Sequence, residues 1–406
     1  MINFVYLSPH FPATNINFCE HLAEAGVRVL GIGDAPAHQL PTRLVNSLTE
    51  YYRVDSLADY DQVYRAVAYL GFRYGRIDWV ESNNEHWLEQ DARLRTDFNV
   101  RSGRQLDRIN QIKSKVAMHA VYQDAQIPTA RQIRLADVSA ARDFCAEVGF
   151  PVVVKPEHGV GAINTWKLRD ELMLERFFTE SVRDGLVDGA PYVMEEFVKG
   201  RIISYDGIVG DGSAPVFEAA VDWGGSIMNV VNDDLDLSYR VLDVVPPELA
   251  EIGRRTLQAF GVRNRFFHLE FFRLSRDHAG LGSKGDYVAL EANMRPAGGC
   301  TTDMYNYATS SDVYQIYADL VTGRDSGAAA RAYLDPQFCV YAGRRFHHCY
   351  RLSREELWRR YGSGIVRAER NPAMMVPQMG DEFFMLRTPD EGIAQGFAFE
   401  ALDRHE

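Results

Sequence analysis

Residues 287–299 read YVALEANMRPAGG, a stretch with the two-residue period of a β-strand. One face of this strand is apolar, whereas the other ends in a carboxylate, an amide and a guanidinium. An edge strand that turns polar side chains to water would explain the pattern as well as a binding site does. The predicted polar face holds Tyr287, Ala289, Glu291, Asn293 and Arg295, and the apolar face holds Val288, Leu290, Ala292 and Met294.

Length and composition predict a globular protein of two or three domains. The chain has 406 residues, of which 46% are hydrophobic and 25% charged. We find neither a transmembrane segment nor a signal peptide, so we expect a cytoplasmic protein that does not bind membranes. The formal net charge of −12 disfavours a nucleic-acid-binding protein, because such a surface needs clustered lysine and arginine.

Cysteine usage predicts neither a disulfide framework nor a structural zinc site. The five cysteines are widely spaced, without a C-x-x-C pair, and we expect buried thiols. Cys339, His347, His348 and Cys349 do not have the spacing of a zinc site.

The first part of the chain is predicted to be a doubly wound α/β domain, residues 1–95. Apolar runs alternate with amphipathic stretches in the order strand, helix, strand, helix, strand: INFVYL, NFCEHLAEAG, VRVLGIG, DYDQVYRAVAYLGF and RIDWVES. The loop GIGDAP lacks the glycine pattern of a dinucleotide-binding turn, which argues against a nicotinamide cofactor.

Four further units are predicted from the remaining pattern. Residues 96–127 form a helical connector that ends before the Ile127-Pro128 pair. A small α+β domain follows at 128–198, then a domain with longer strands at 199–325 and a mixed C-terminal lobe at 326–406 that packs on it. The fold class is therefore a multidomain mixture of α/β and α+β units.

Two lysine-containing stretches are candidates for phosphate binding. A β-branched strand delivers Lys155 and is followed by Gly159 and Gly161, and glycines let main-chain N–H groups approach a phosphate closely. Taken alone, this stretch is better explained by a surface turn. Lys113 and Lys115 lie in the connector, where a helical lysine is usually solvated.

Carboxylates mark two more candidate stretches. In YVMEEFV the pair Glu195 and Glu196 could bond an adenine amino group or cap a strand. In FFHLEFFRL, Glu270 lies among phenylalanines and needs a partner, since burying a lone charge costs several kcal/mol. Together with Glu291 and Asn293 it could bind Mg²⁺, which prefers oxygen ligands.

In their order along residues 1–325, these stretches resemble the ATP-grasp superfamily. The resemblance implies two α+β lobes that clasp ATP, preceded by a Rossmann-like domain. It selects Lys115, thirteen residues before the proline of QIP, over Lys113. The residues between Lys155 and Glu195 would then form a lid.

The resemblance also implies a role for each candidate residue. Arg295 would steady an acyl phosphate as the catalytic arginine. Mg²⁺, as two ions, or Mn²⁺ would bind to Glu270, Glu291 and Asn293. ATP would contact Lys115, Lys155, His158, Gly159, Gly161, Glu195, Glu196, Phe197 and Val198.

Within the superfamily the chain is most similar to L-amino-acid ligases, on the motif LEANMRPAGG, the connector and the C-terminal lobe. This similarity implies an ATP-dependent carboxylate-amine ligase that joins small acids and amines through an acyl phosphate. The alternatives are an enzyme that uses bicarbonate or a thiol acceptor, and a nucleotide-binding module without catalysis. A homodimer is left open.

One position departs from the superfamily pattern. Members commonly carry a ribose-binding glutamate where this chain has Ile202. The ribose contact is then either weaker or supplied by another group, such as Asp206. Four further residues are candidate pocket walls, although packing explains them as well: Trp223, His268, Met304 and Tyr305.

Overall fold

The computed structural model describes residues 1–159, 164–183, 191–212, 214–224, 230, 234–325, 327 and 335–405. Within these residues the strands form three β-sheets, one of eight strands and two of four. None of the helices in these ranges has the length and hydropathy needed to cross a membrane.

The N-terminal sheet is parallel, with the strand order β3-β2-β1-β4. Its central strand β1 is buried along its whole length, as expected for a sheet covered by helices on both faces. The predicted alternation of strands and helices is confirmed, with one additional helix and strand, α2 and β3. The elements are β1 Asn3–Leu7, α1 Asn15–Glu24, β2 Arg28–Gly33, α2 Thr42–Ser47, β3 Glu50–Arg53, α3 Tyr60–Tyr74 and β4 Trp79–Glu81.

The connector is helical, as predicted, but it is broken into short pieces. A 3₁₀ turn, Glu85–Trp87, precedes α4, and a second one, Leu106–Arg108, lies between α4 and α5. Ser114 caps the last helix, because its hydroxyl accepts a hydrogen bond from the Ala117 N–H at 3.2 Å. The helices are α4 Leu88–Asp97, α5 Asn110–Lys113 and α6 Lys115–Asp124.

The second four-stranded sheet is antiparallel, with the order β5-β8-β6-β7. One of its faces packs on two helices through a small core that includes Phe144, Val154 and Phe177. Its elements are β5 Gln132–Leu135, α7 Val138–Val148, β6 Val152–Pro156, β7 Trp166–Leu168, α8 Glu171–Arg183 and β8 Tyr192–Glu196.

The eight-stranded sheet is antiparallel, with the order β13-β12-β9-β10-β11-β14-β16-β15. It crosses the domain boundary predicted at residue 325, because β11 pairs with β14. The predicted boundaries themselves remain predictions. Its strands are β9 Gly200–Val209, β10 Pro215–Asp222, β11 Leu237–Val241, β12 Arg265–Leu274, β13 Tyr287–Asn293, β14 Phe338–Arg344, β15 Ile365–Arg370 and β16 Glu382–Thr388. The helices packed around it are α9 Pro247–Ala259, α10 Thr301–Thr309, α11 Val313–Thr322, α12 Arg354–Tyr361, α13 Val376–Met379 and α14 Glu391–Leu402.

The prediction of two strand faces for residues 287–295 is wrong for Tyr287 and Ala289, which belong to the apolar core. Glu270 on β12 pairs with Glu291, but the next residue, Phe271, pairs with Ala289, so Leu290 is an extra residue in β13. A bulge of this kind moves the preceding side chains to the opposite face. The apolar core beneath the sheet therefore contains Tyr287 and Ala289 together with Ala292 and Met294.

A buried charge network joins the N-terminal sheet to the eight-stranded sheet. The Glu81 carboxylate, at the end of β4, lies 2.7 Å from the Arg95 guanidinium and 2.5 Å from that of Arg265, the first residue of β12. All three side chains are at most 5% exposed. The network fixes the loop that follows β4 relative to the strands that carry Glu270 and Glu291.

Candidate active site

A cavity of about 670 Å³ lies between the N-terminal sheet, the β5–β8 sheet and the eight-stranded sheet. The β5–β8 sheet and the eight-stranded sheet supply charged side chains to its wall, and Glu85, in the turn after β4, and Lys115, at the start of α6, complete it. The lining of the cavity includes Glu85, Lys115, Lys155, Gly159, Glu195, Glu270, Glu291 and Arg295.

Two of the lysines that line this cavity are Lys115 and Lys155. The Lys115 main-chain N–H donates to the carbonyl of Glu157 at 3.1 Å, which ties the start of α6 to the end of β6, the strand that carries Lys155. Their role in phosphate binding remains a prediction. Burial and the neighbouring Lys155 charge lower the pKa of Lys115, although Glu291 opposes this shift. Lys113 instead donates to the main-chain carbonyl of Glu85 at 3.1 Å, outside the cavity wall.

The end of β8 and the segment that follows it hold the four residues predicted to contact adenine. The Glu195 carboxylate lies 2.6 Å from the Lys155 ammonium and accepts a hydrogen bond from Gln132 at 2.7 Å. The Phe197 ring lies under the Lys167 ammonium, 3.7 Å from the ring centroid. Val198, like Phe197, lines the cavity.

The carboxylate of Glu196 is engaged elsewhere. It is nearly buried and accepts hydrogen bonds from the Arg131 main chain at 2.7 Å and from its guanidinium at 2.7 and 3.0 Å. A nucleotide contact by Glu196 therefore depends on its main chain rather than on its carboxylate.

The predicted phosphate loop is only partly described. Gly159 lines the cavity, whereas His158 is exposed and does not line it. Gly161 lies outside the described residues.

Of the three predicted metal ligands, Glu270 and Glu291 line the cavity, whereas Asn293 is buried and does not line it. Glu270 and Glu291 face each other across adjacent antiparallel strands, and Asn293 faces His268 one pair further on. Burial, Glu85 and Glu270 raise the pKa of Glu291 to about 7. The Asn293 side-chain oxygen is buried and has no hydrogen-bond partner within the described part of the chain. Two facing carboxylates and an unsatisfied amide oxygen fit a hard divalent cation.

A buried histidine orients Glu270. His268 lies 3.0 Å from Glu270 through Nε2 and 2.6 Å from Asp206 through Nδ1. The two carboxylates outweigh the effect of burial, which opposes protonation, and raise the pKa of His268 to about 9. Asp206 also accepts hydrogen bonds from Ser204 at 2.7 Å and Tyr305 at 2.9 Å.

These contacts correct two expectations from the sequence. Asp206 is fully buried and its carboxylate is saturated, so it cannot supply a ribose contact, whereas Ile202 lines the cavity. Met304 and Tyr305 belong to the core and do not line the cavity. Trp223 and His268 do line it.

Glu85 is a cavity residue that the sequence reasoning missed. Its carboxylate accepts a hydrogen bond from Arg295, and both side chains are about 15% exposed. The Arg295 guanidinium lowers the pKa of Glu85, against the effect of burial. The signal was present, because ligands of open parallel sheets bind beyond the carboxyl ends of the strands and Glu85 follows β4.

A histidine pair in the C-terminal part of the chain forms a separate cluster. His347 and His348 lie 2.7 and 3.4 Å from the Asp234 carboxylate. Arg345 lies 3.3 Å from the same carboxylate and supplies positive charge there. Cys339 is buried in the core.

The curated relatives of the chain include two ligases. No family model matches the chain. An L-arginine-specific L-amino acid ligase of Bacillus subtilis is 21% identical over 286 residues, which are 68% of this chain and 64% of that protein. An alanine–anticapsin ligase of the same organism is 19% identical over 66% of this chain and 58% of its own length. A carbamoyl phosphate synthase large chain of Clostridium acetobutylicum matches over 106 residues, 10% of its length. The chain thus spans less than two thirds of these relatives.

Solved structures match over nearly the whole chain. An L-amino acid ligase from Bacillus licheniformis superposes with a TM-score of 0.70 at 14% identity, covering 99% of this chain and 97% of that one. The biotin carboxylase domain of a 2-oxoglutarate carboxylase from Hydrogenobacter thermophilus gives 0.69 at 16% identity, covering 96% and 87%. An N5-carboxyaminoimidazole synthetase from Staphylococcus aureus gives 0.66 at 14% identity, covering 99% and 97%.

Proposed function

The chain has the ATP-grasp fold, and we propose that it is an ATP-dependent carboxylate-amine ligase. The supporting observation is that two lysines, two facing carboxylates and an arginine line a single cavity. A nucleotide triphosphate has the matching chemistry, since its phosphates need both positive side chains and a divalent cation. The L-amino acid ligases among the relatives support an amine as acceptor.

The chemistry proceeds in two steps. A carboxylate is a poor electrophile, so its oxygen first takes the γ-phosphoryl group of ATP, and ADP leaves. The amine nitrogen then attacks the acyl carbon, phosphate leaves with the C–O bond electrons, and an amide forms. The protein needs no covalent nucleophile for either step.

The residues of the cavity act by holding and neutralising charge. Lys115 and Lys155 neutralise phosphate oxygens, and Arg295 holds the acid and its acyl phosphate. Glu195, Phe197 and Val198 hold the adenine. The β5–β8 sheet covers the cavity and excludes water, which would hydrolyse an acyl phosphate.

A divalent ion, held by Glu270, Glu291 and Asn293, would neutralise phosphate charge. The structure favours these residues because the Asn293 oxygen is buried without a partner and two carboxylates face each other. Since His268 holds the Glu270 carboxylate, that ligand is oriented before an ion arrives.

The test is release of ADP and phosphate, measured over pairs of small carboxylates and amines in the presence of Mg²⁺. We expect release that depends on an acid, and hydroxylamine should trap the acyl phosphate as a hydroxamate. Glu291→Ala should abolish ADP formation, whereas Glu248→Ala, which alters an exposed carboxylate on α9, should not. Turnover by Glu291→Ala at the wild-type rate would contradict the metal assignment.

The same assay separates the alternatives. ADP release stimulated by bicarbonate alone would indicate a carboxylating enzyme, as would be consistent with the biotin carboxylase neighbour. ATP binding without turnover over the whole panel would indicate a nucleotide-binding module. A cytoplasmic location and a homodimer remain predictions.

A further inference from the structure

Glu85 is an acidic residue that the proposed ligase chemistry leaves without a task. It belongs to the short 3₁₀ turn after β4, and the Asn84 side chain fixes this turn by accepting a hydrogen bond from the His86 N–H at 3.0 Å. The Glu85 side chain is only 15% exposed, and that exposed part faces the cavity.

Arg295 is the partner of Glu85, and its own hydrogen bonding is incomplete. One terminal nitrogen donates to the Pro296 carbonyl at 2.8 Å, and the other donates to Glu85. The Nε–H group is buried and has no hydrogen-bond partner among the described residues. A guanidinium with an unused buried donor, facing a cavity, is suited to bind a further anionic group.

Substrate binding would change the balance of charge at this pair. Arg295 serves the acid substrate in the proposed function, so a substrate carboxylate competes with Glu85 for the guanidinium. Glu85 would then be left as a buried anion with fewer partners, which is costly unless a new cation arrives. Lys113 and His268 also lower the pKa of Glu85, but the Lys113 ammonium bonds the Glu85 main-chain carbonyl, and His268 bonds Asp206 and Glu270.

An α-amino acid carries both charges that the pair requires. Its carboxylate and its ammonium group are joined through one carbon, so they can meet a guanidinium and a carboxylate that are in contact with each other. A carboxylic acid without the amino group would bind Arg295 without offering Glu85 an ammonium group in place of the guanidinium.

We propose that Glu85 binds the α-ammonium group of the acid that is activated, while Arg295 binds its carboxylate. Glu85 is thereby a specificity-determining residue that favours amino acids over their des-amino analogues as acyl donors. In the free enzyme it holds Arg295 in place. This inference rests on the proposed function, because it assumes that an acid is activated in this cavity.

The experiment compares matched donors in wild type and Glu85→Gln. The probes are L-alanine with propionate, L-leucine with 4-methylpentanoate, and L-phenylalanine with 3-phenylpropionate, each with ATP, Mg²⁺ and hydroxylamine. Hydroxamate formation gives kcat/KM for every donor. We expect the wild-type enzyme to prefer the amino acid in each active pair, and Glu85→Gln to reduce that preference at least tenfold through loss of activity on the amino acid.

Two variants control for structural damage. Glu85→Asp keeps the charge and should retain part of the preference. Glu89→Gln removes an exposed carboxylate on α4 that does not line the cavity, and it should leave the preference unchanged. Calorimetric binding of the best amino acid, in the presence of AMP-PNP and Mg²⁺, should weaken at least tenfold in Glu85→Gln and provides a readout that does not depend on turnover.

The outcomes separate this inference from the proposed function. An active wild-type enzyme whose preference survives Glu85→Gln overturns the role of Glu85 alone. A change confined to the KM of an amine acceptor overturns its assignment to the acid. Absence of hydroxamate and ADP with every acid, in a folded wild-type protein that binds AMP-PNP, overturns the proposed function and this inference with it.

Discussion

Replacing Glu81 by glutamine should loosen the N-terminal sheet from the rest of the protein. The Glu81 carboxylate is the shared partner of the Arg95 and Arg265 guanidiniums, at 2.7 and 2.5 Å. Glutamine has nearly the same shape but no charge, so both guanidiniums would remain buried with one fewer anion. Asp91 lies 3.8 Å from Arg95, so it compensates part of the Arg95 charge only.

The expected cost follows from the burial of this network. Arg95, Glu81 and Arg265 are at most 5% exposed, so solvent screens their charges weakly. Removing one partner of a buried ion pair typically costs about 3–5 kcal/mol. The glutamine oxygen can still accept one hydrogen bond, so we expect the lower end, about 3 kcal/mol. The equilibrium constant for local opening of the N-terminal sheet would then rise by about a hundredfold.

Hydrogen exchange measures this change locally, which matters because a chain of several domains need not unfold in two states. Main-chain amides of β1 and β2 should exchange about a hundredfold faster in Glu81→Gln, whereas amides of β16, at the far side of the eight-stranded sheet, should change little. Adding Arg265→Met removes one of the two uncompensated charges and should restore part of the protection.

The matched control alters an exposed ion pair in the same domain. Asp61 and Arg65 lie 3.1 Å apart on α3 and are each more than three-quarters exposed. Asp61→Asn should change exchange by less than about twofold, since exposed pairs contribute little. Exchange of β1 and β2 in Glu81→Gln within threefold of wild type would refute the view that this network holds the sheet.

Three further changes probe other parts of the structure. Lys155→Met removes the ammonium 2.6 Å from Glu195 and a proposed phosphate contact, so the KM for ATP should rise at least tenfold in the phosphate-release assay; an unchanged KM would contradict that role. Asn293→Ala removes the unsatisfied buried amide oxygen, and the Mg²⁺ concentration for half-maximal activity should rise several-fold, whereas an unaltered Mg²⁺ titration would argue against ligation. A hydrogen bond with Asp312 at 3.0 Å raises the pKa of His21 above its ordinary value of about 6.5. This contact therefore stabilises the folded state fully below pH 6.5. The stabilisation is lost as the pH rises through the raised pKa of the folded state. His21→Gln should therefore lower stability by at most about 1 kcal/mol at pH 5.5 and by nothing at pH 9, and an equal loss at both pH values in urea unfolding would be inconsistent with this linkage.

The sequence by itself determined the elements that depend on local pattern. The alternation of apolar runs in residues 1–95 predicted the parallel sheet, since strand and helix periods can be distinguished within a few residues. Residue identity selected Lys155, Glu270 and Glu291, because lysine and glutamate are unusual inside β-branched or aromatic strands. The order of these motifs predicted the ATP-grasp fold that the comparisons show.

Tertiary structure decided what depends on contacts between distant segments. The extra residue at Leu290 exists only because β13 pairs with β12, and it reversed the predicted positions of Tyr287 and Ala289. Arg131 engages Glu196 across 65 residues, and Arg295 engages Glu85 across 210.

The physical reason is that burial and charge pairing are properties of the assembled fold. A local window of sequence shows that a carboxylate is present, but its partner comes from whichever segment the sheets bring beside it. The strand residues that line the cavity, among them Lys155, Glu270 and Glu291, were therefore predictable from the sequence. The contact of Glu85 with Arg295, the contact of Glu196 with Arg131 and the burial of Asp206 became visible only in the assembled fold.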